Sequence, residues 1–147
     1  VIGSGHTYAE LCGGHPDTTN NRMEMTAVLE ALLAIPLSAE RHQVTLFTDS
    51  TYVRDGIENW LRLWERRRWR TTAGDQVKNI DLWQAIKQAQ RLHSVRAEWV
   101  RGHAGDVRNE RADRLAAIGA RAFCRDTSYS TSNYAMIKEQ LKLPAFD

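Results

Sequence analysis

Val44-Thr45-Leu46-Phe47-Thr48-Asp49-Ser50 is the stretch on which the reading of this chain turns. Residues 43–48 are largely β-branched and apolar over about the length of one strand, and no charge interrupts them before Asp49. The pattern predicts a buried strand with a carboxylate at its C-terminal end. Ligands of open α/β sheets bind in the crevice outside the carboxyl ends of the strands, so Asp49 stands where a catalytic or metal-binding group would stand.

Working outward toward the N-terminus, Gly3-Ser4-Gly5 reads as a turn and residues 6–11 as a strand that closes a hairpin, with Gly13-Gly14 ending it. Residues 16–21 carry turn and cap chemistry. A helix follows over about 22–34, with Met25, Val28, Leu29 and Leu32 at apolar spacing, and stops before Pro36. Glu24 lies four residues before Val28 and so borders the buried stripe, an unusual place for an acid.

On the other side of Asp49, Ser50 or Thr51 caps a short helix through about residue 59. A second helical stretch carries Trp60, Trp64 and Arg66-Arg67-Arg68-Trp69-Arg70. Residues 71–78 form a polar loop. A new helix begins at Asn79, with Asp81 where the helix dipole favours negative charge and with Leu82, Ile86 and Ala89 on its apolar side. Residues 95–100 read as the next strand, and a long helix over about 107–124 follows the loop Arg101-Gly102-His103-Ala104-Gly105-Asp106. Ala112, Leu115, Ala116, Ala117 and Ala120 give that helix a small-residue face bordered by Asp113. Residues 125–147 show no periodicity beyond one or two helical turns over 136–143. Strands followed by helices predict an α/β layer structure with helices packed on a mixed central sheet.

At 147 residues the chain is one domain by length, and 42% hydrophobic with 26% charged residues is ordinary for a globular fold. No apolar run approaches the roughly 20 residues of a membrane helix, and no signal-peptide pattern opens the chain. Cys12 and Cys124 make no disulfide framework, so two free thiols in a cytoplasmic protein are expected, with no membrane partner. The formal charge of +2 hides a local excess. Between Trp60 and Arg70 five arginines face one glutamate, a basic patch whose simplest reading is a solvated helix face.

Three acids come from three separate elements. Glu24, Asp49 and Asp113 suit a hard divalent cation such as Mg²⁺, which is held by a few carboxylates plus water and substrate oxygens. Taken one at a time, each acid reads more simply as salt-bridged or solvent-facing, because periodicity cannot show convergence. His103, flanked by glycines, suits proton transfer to a leaving group, or is simply exposed. The tryptophans and arginines read either as a platform for nucleic acid or as a small satellite core with a soluble rim.

Thr18-Thr19-Asn20-Asn21-Arg22-Met23-Glu24 resembles a type 1 ribonuclease H, and the likeness continues in order. It runs through Phe47-Thr48-Asp49-Ser50, the spaced Trp60, Trp64 and Trp69, and Val77-Lys78-Asn79-Ile80-Asp81-Leu82-Trp83. It ends with Trp99-Val100-Arg101-Gly102-His103-Ala104-Gly105 and Asn109-Glu110-Arg111-Ala112-Asp113. It spans about residues 5–127, which implies a ribonuclease H domain over 1–127 and a C-terminal tail over 128–147.

The resemblance implies the ribonuclease H-like fold and an endonuclease that cuts the RNA strand of RNA/DNA hybrids. Two Mg²⁺ or Mn²⁺ ions per site would be held by four carboxylates, of which Glu24, Asp49 and Asp113 match three; paired metals of this kind serve an in-line displacement. His103 matches the loop histidine that helps product departure. Asn20 and Asn21 would meet the minor groove and RNA 2′-hydroxyls, the groups that mark RNA, and Thr19 a DNA phosphate. Trp60, Trp64 and Trp69, with Arg67 and Arg68 between them, would grip the DNA strand, with Asn79 and Trp83 beside them. A monomer is expected.

One departure from the family pattern concerns the front of the chain. The family's first strand, which carries the fourth carboxylate and pairs with the strand ending at Asp49, has no counterpart ahead of Val1. The expectation is that the sequence lacks an N-terminal segment that the natural protein has. A strand supplied by residues 143–147 is disfavoured by Pro144, which cannot donate to a central ladder. A rival of another class is a shortened hybrid binder without catalysis, and a third reading is a different nuclease or an integrase on the same fold. Cleavage separates the first pair, and a duplex DNA substrate separates the third.

Overall fold

The computed structural model describes residues 1–15, 17–102 and 105–122. The expectations for His103, for Cys124, for helical turns over 136–143 and for the tail 128–147 lie outside the described residues.

Strand β1 (Ile2–Ser4) pairs antiparallel with β2 (Thr7–Ala9), and Gly5 takes a φ of +60° at the turn, where a side chain would be strained. Helix α1 (Asn20–Ala34) opens on Thr19, whose Oγ1 accepts from the Arg22 backbone N–H at 3.3 Å. It ends at Ile35, in extended backbone as the residue before a proline prefers. Its buried residues, Met25, Val28, Leu29, Leu32 and Leu33, pack on helix α4 (Ile80–Ala89), which buries Leu82, Trp83, Ala85, Ile86 and Ala89. This helix pair is the centre of the core.

Strand β3 (Gln43–Thr48) runs parallel to β4 (Ser94–Trp99), in register from Gln43 opposite Ser94 to Thr48 opposite Trp99. Parallel neighbours need a crossover. Here it comprises α2 (Thr51–Asp55), a π-helical turn (Gly56–Trp60), α3 (Leu61–Arg66) and α4. Ser50 caps α2 by accepting from the Val53 N–H at 3.3 Å. The two helical pieces expected after Asp49 are therefore joined by a widened turn, in which the Leu61 N–H reaches back five residues to the Gly56 carbonyl. Gly56 makes the join possible: a Cβ there would stand 2.0 Å from Cη2 of Trp83.

Among the described residues, the strand expected to be buried is covered on one face only. Val44, Leu46, Val95 and Ala97 pack toward the helices, whereas Phe47, on the opposite face, is 50% exposed. Among the described residues no strand lies along the edge of β3 away from β4. The mixed sheet accordingly stands as an antiparallel pair and a parallel pair with no ladder between them among the described residues. The outer edge of β4 is satisfied differently, because the Ala97 N–H donates to a carboxylate oxygen of Glu58 from the π turn.

Helix α5 (Val107–Ala122) is fastened to the chain after β2. Arg111 donates from Nε and a terminal nitrogen to the two carboxylate oxygens of Glu10, at 2.7 and 2.6 Å. Further along, Gly119 meets the backbone of Gly13 so closely that a Cβ would lie 2.2 Å from its carbonyl oxygen.

Candidate active site and nucleic-acid surface

Asp49 sits one residue beyond β3, at the carboxyl end of the parallel pair, as the strand pattern led one to expect. The neighbouring strand brings Gly102 to it: a Cβ on Gly102 would stand 2.7 Å from Asp49 Oδ2. The Trp99 indole N–H donates to the Asp49 carbonyl at 3.0 Å, which ties the ends of the two strands together. Asp49 itself is exposed, so its carboxylate is open to a ligand.

Glu24 lies in the second turn of α1, and its Oε2 is shielded from solvent without a hydrogen-bond partner. A buried carboxylate oxygen left that way is costly, and a bound cation is one explanation for its retention. Asp113 lies half-buried on α5, two residues beyond the Arg111 clamp. Among the described residues no three His, Cys, Asp or Glu side chains form a metal-ligand cluster, so Glu24, Asp49 and Asp113 are not gathered around one point in this conformation. The donor set is all carboxylate, the chemistry that Mg²⁺ or Mn²⁺ takes.

The residues expected to meet the substrate fall into two groups. Thr19, Asn20 and Asn21 form the exposed start of α1, and Arg22 links this end to the start of α4. Its guanidinium donates to Asn79 Oδ1 at 3.3 Å and to Asp81 at 3.1 and 2.7 Å. These bonds hold the Asp81 carboxyl below its ordinary range and the Arg22 guanidinium above its own. Asn79 caps α4 in a left-handed conformation, with φ +54°.

Trp60, Trp64 and Trp83 form a chain of tilted rings, with centroids 5.4 and 5.6 Å apart along it, and Tyr52 sits against both Trp60 and Trp83. The satellite-core reading therefore describes part of this cluster. Trp64 and Trp69 pack on the core while remaining partly accessible. Trp83 requires a correction: expected beside the substrate, it is fully buried, with its N–H given to the Tyr52 hydroxyl at 3.0 Å. It supports the surface from beneath.

The arginines stay on the outside. Arg68 and Trp69 both adopt left-handed backbone, with φ of +52° and +62°, which turns the chain sharply after α3. Arg67 donates to Thr72 Oγ1 at 2.9 Å and Arg70 to the Gly74 carbonyl at 2.8 Å, and an Arg70–Gln76 bridge closes the loop expected at 71–78. Arg66 and Arg68 are exposed.

Sequence reasoning missed Tyr52 and Arg22, since neither spacing nor periodicity marks them. It also missed His93, which is 1% exposed, shares a ring contact with His42, and lends Nε2 to the Leu32 carbonyl at 3.2 Å. Burial pushes the His93 imidazole below its ordinary pKa.

Comparison with known proteins places this arrangement. The family model described as RNase H matches residues 2–121. The chain is 50% identical over 127 residues to the ribonuclease H of Chelativorans sp., covering 86% of this chain and 76% of that one. It is 49% identical over 125 residues to the ribonuclease H of Agrobacterium fabrum, covering 85% and 84%. Among solved structures, LC9-RNase H1, a type 1 RNase H with the type 2 active-site motif, superposes with a TM-score of 0.70 at 36% identity. That match covers 88% of this chain and 64% of the length of the other. The foamy viral protease-reverse transcriptase, solved in complex with RNA/DNA hybrid, shares the fold with a TM-score of 0.60 at 23% identity, over 70% of this chain and 14% of that one. The chain belongs to the RNase H family, the endoribonucleases that hydrolyse the RNA strand of RNA/DNA hybrids.

Proposed function

We propose that this ribonuclease H works through one domain over residues 1–127, with 128–147 as a tail, and that Glu24, Asp49 and Asp113 hold its divalent cations. The observation that carries this reading is the exposed Asp49 carboxylate at the carboxyl end of the parallel pair, packed against Gly102 of the adjoining strand end. The partnerless Glu24 Oε2 supports it. Two ions, Mg²⁺ or Mn²⁺, fit the carboxylate donors, and when bound they lower the pKa of water and neutralise charge developing on the phosphate.

The chain's own residues do the rest. His103 gives a proton to the departing oxygen. Thr19, whose hydroxyl oxygen already accepts from Arg22, keeps its proton for a DNA phosphate. Asn20 and Asn21 meet the minor groove and the ribose 2′-hydroxyl, while Trp60, Trp64 and Trp69 with Arg67 and Arg68 hold the DNA strand, with Asn79 beside them. The protein acts as a monomer in the cytoplasm, and sedimentation together with cell fractionation checks that clause.

Cleavage of a 5′-labelled RNA/DNA hybrid with Mg²⁺, and then with EDTA, tests the reading. Metal-dependent RNA fragments are expected. Binding without cutting would make the chain a hybrid-binding module instead, and cutting of duplex DNA would move it to another nuclease class.

A further inference from the structure

We infer that Tyr52 is a positioning residue for hybrid binding, fixing the Asn79 side-chain amide together with Arg22 so that one amide N–H is kept for the substrate. The inference rests on the reading of Asn79 as a substrate contact.

The argument is a count of donors and acceptors. A guanidinium only donates, so the Asn79 atom 3.3 Å from Arg22 is the carbonyl Oδ1 and the amide orientation is decided. Nδ2 then lies 3.4 Å from the Tyr52 hydroxyl and gives it one of its two hydrogens. The Tyr52 oxygen has one proton and two lone pairs, and all three are used. It donates to the Lys78 carbonyl at 3.5 Å, and accepts from Asn79 and from the Trp83 indole N–H at 3.0 Å. Trp83 is fully buried, so the hydroxyl is anchored from the core.

Asn79 spends none of its amide on its own helix, since its side chain makes no cap hydrogen bond to α4. What remains is the second Nδ2 hydrogen. A donor held in that way fits an acceptor oxygen on the DNA strand that the neighbouring tryptophans and arginines are proposed to hold, such as a phosphate oxygen. Arg22 belongs to the same turn of α1 as Asn20 and Asn21, so the relay also sets the spacing between the two parts of the proposed binding surface.

Steady-state cleavage of an RNA/DNA hybrid in Mg²⁺ by Tyr52→Phe, Asn79→Ala and the double variant tests the inference. Phenylalanine keeps the ring contacts with Trp60 and Trp83 and removes only the hydroxyl. A rise in KM of about three- to tenfold is expected for Tyr52→Phe, the size of one net hydrogen bond, with kcat within about twofold. The double variant should bind no worse than Asn79→Ala alone. Arg22→Met, which leaves Trp83 satisfied, should raise KM in the same way. Unchanged KM in Tyr52→Phe and Arg22→Met, or additive losses in the double variant, would overturn the relay while leaving Asn79 as a contact. Unchanged KM in Asn79→Ala would overturn the contact itself, and the relay with it.

Discussion

Gly102 and Asp49 touch across the ends of the parallel strands, with 2.7 Å separating Asp49 Oδ2 from the place a Cβ on Gly102 would occupy. The atom in the way is the tip of a short, exposed side chain, so an added methyl moves the carboxylate rather than the backbone. Gly102→Ala is expected to change stability by less than about 1 kcal/mol, within the usual span of surface substitutions. Cleavage should nonetheless fall at least about tenfold, because displacing a positioned group by an ångström is costly to rate. Thermal unfolding and kcat measured on the same preparation check the split.

Gly119→Ala tests the opposite case. Helix propensity alone favours alanine by about 1 kcal/mol, but the new methyl would meet the Gly13 carbonyl oxygen at 2.2 Å, and backbone cannot step aside cheaply. Overpacking costs about 1–3 kcal/mol and wins. The variant should unfold at lower urea and also lose activity, since α5 carries Asp113.

On the proposed reading Arg68, exposed on the turn after α3, meets the hybrid electrostatically. Arg68→Ala should weaken hybrid binding equally on different sequences and reduce the slope of log K against log salt by about 0.9, the value of one phosphate contact. A salt titration by fluorescence anisotropy gives both quantities.

His93 makes stability depend on pH in a stated direction. Burial lowers its folded pKa below the ordinary 6.5, so the unfolded chain takes up the proton first as pH falls. Its contribution is therefore whole above about pH 6.5 and declines as pH drops toward the folded value. Asp81, lowered by Arg22, contributes above its ordinary 3.8 and loses that only in stronger acid. Urea midpoints at about pH 7.5 and about pH 5.5 should separate for the parent chain and converge in His93→Gln.

The parts of the fold written in local pattern were legible. The apolar stripe of α1 and the strand ending at Asp49 each follow from a few neighbouring residues and are where the pattern put them, and the cap, Thr19, falls within the stretch 16–21 read as cap chemistry. What depends on contacts between distant residues was not legible. Phe47 reads as a core residue in an apolar run, but its burial is decided by whether another layer packs on its face of the sheet, which only the fold determines. The left-handed Arg68 and Trp69 have no glycine to announce them. Trp83 shares a motif with Asn79, yet lies at the interior end of a hydrogen-bonded chain that only the fold brings together. Glu24, Asp49 and Asp113 were identifiable as acids on separate elements, whereas their mutual distance is set by tertiary packing.

The most direct measurement is the pair of hybrid affinity and Mg²⁺-dependent cleavage for Asp49→Asn, an isosteric change that removes one charge at the strand end. Cleavage should fall by about a hundred- to a thousandfold, of the order seen when a main charge-stabilising group is removed, while hybrid affinity stays within about threefold of the parent, less than the roughly tenfold that one 1.4 kcal/mol interaction carries. A variant that still cuts the RNA strand at the parent rate would contradict the assignment of Asp49 as a metal-holding carboxylate.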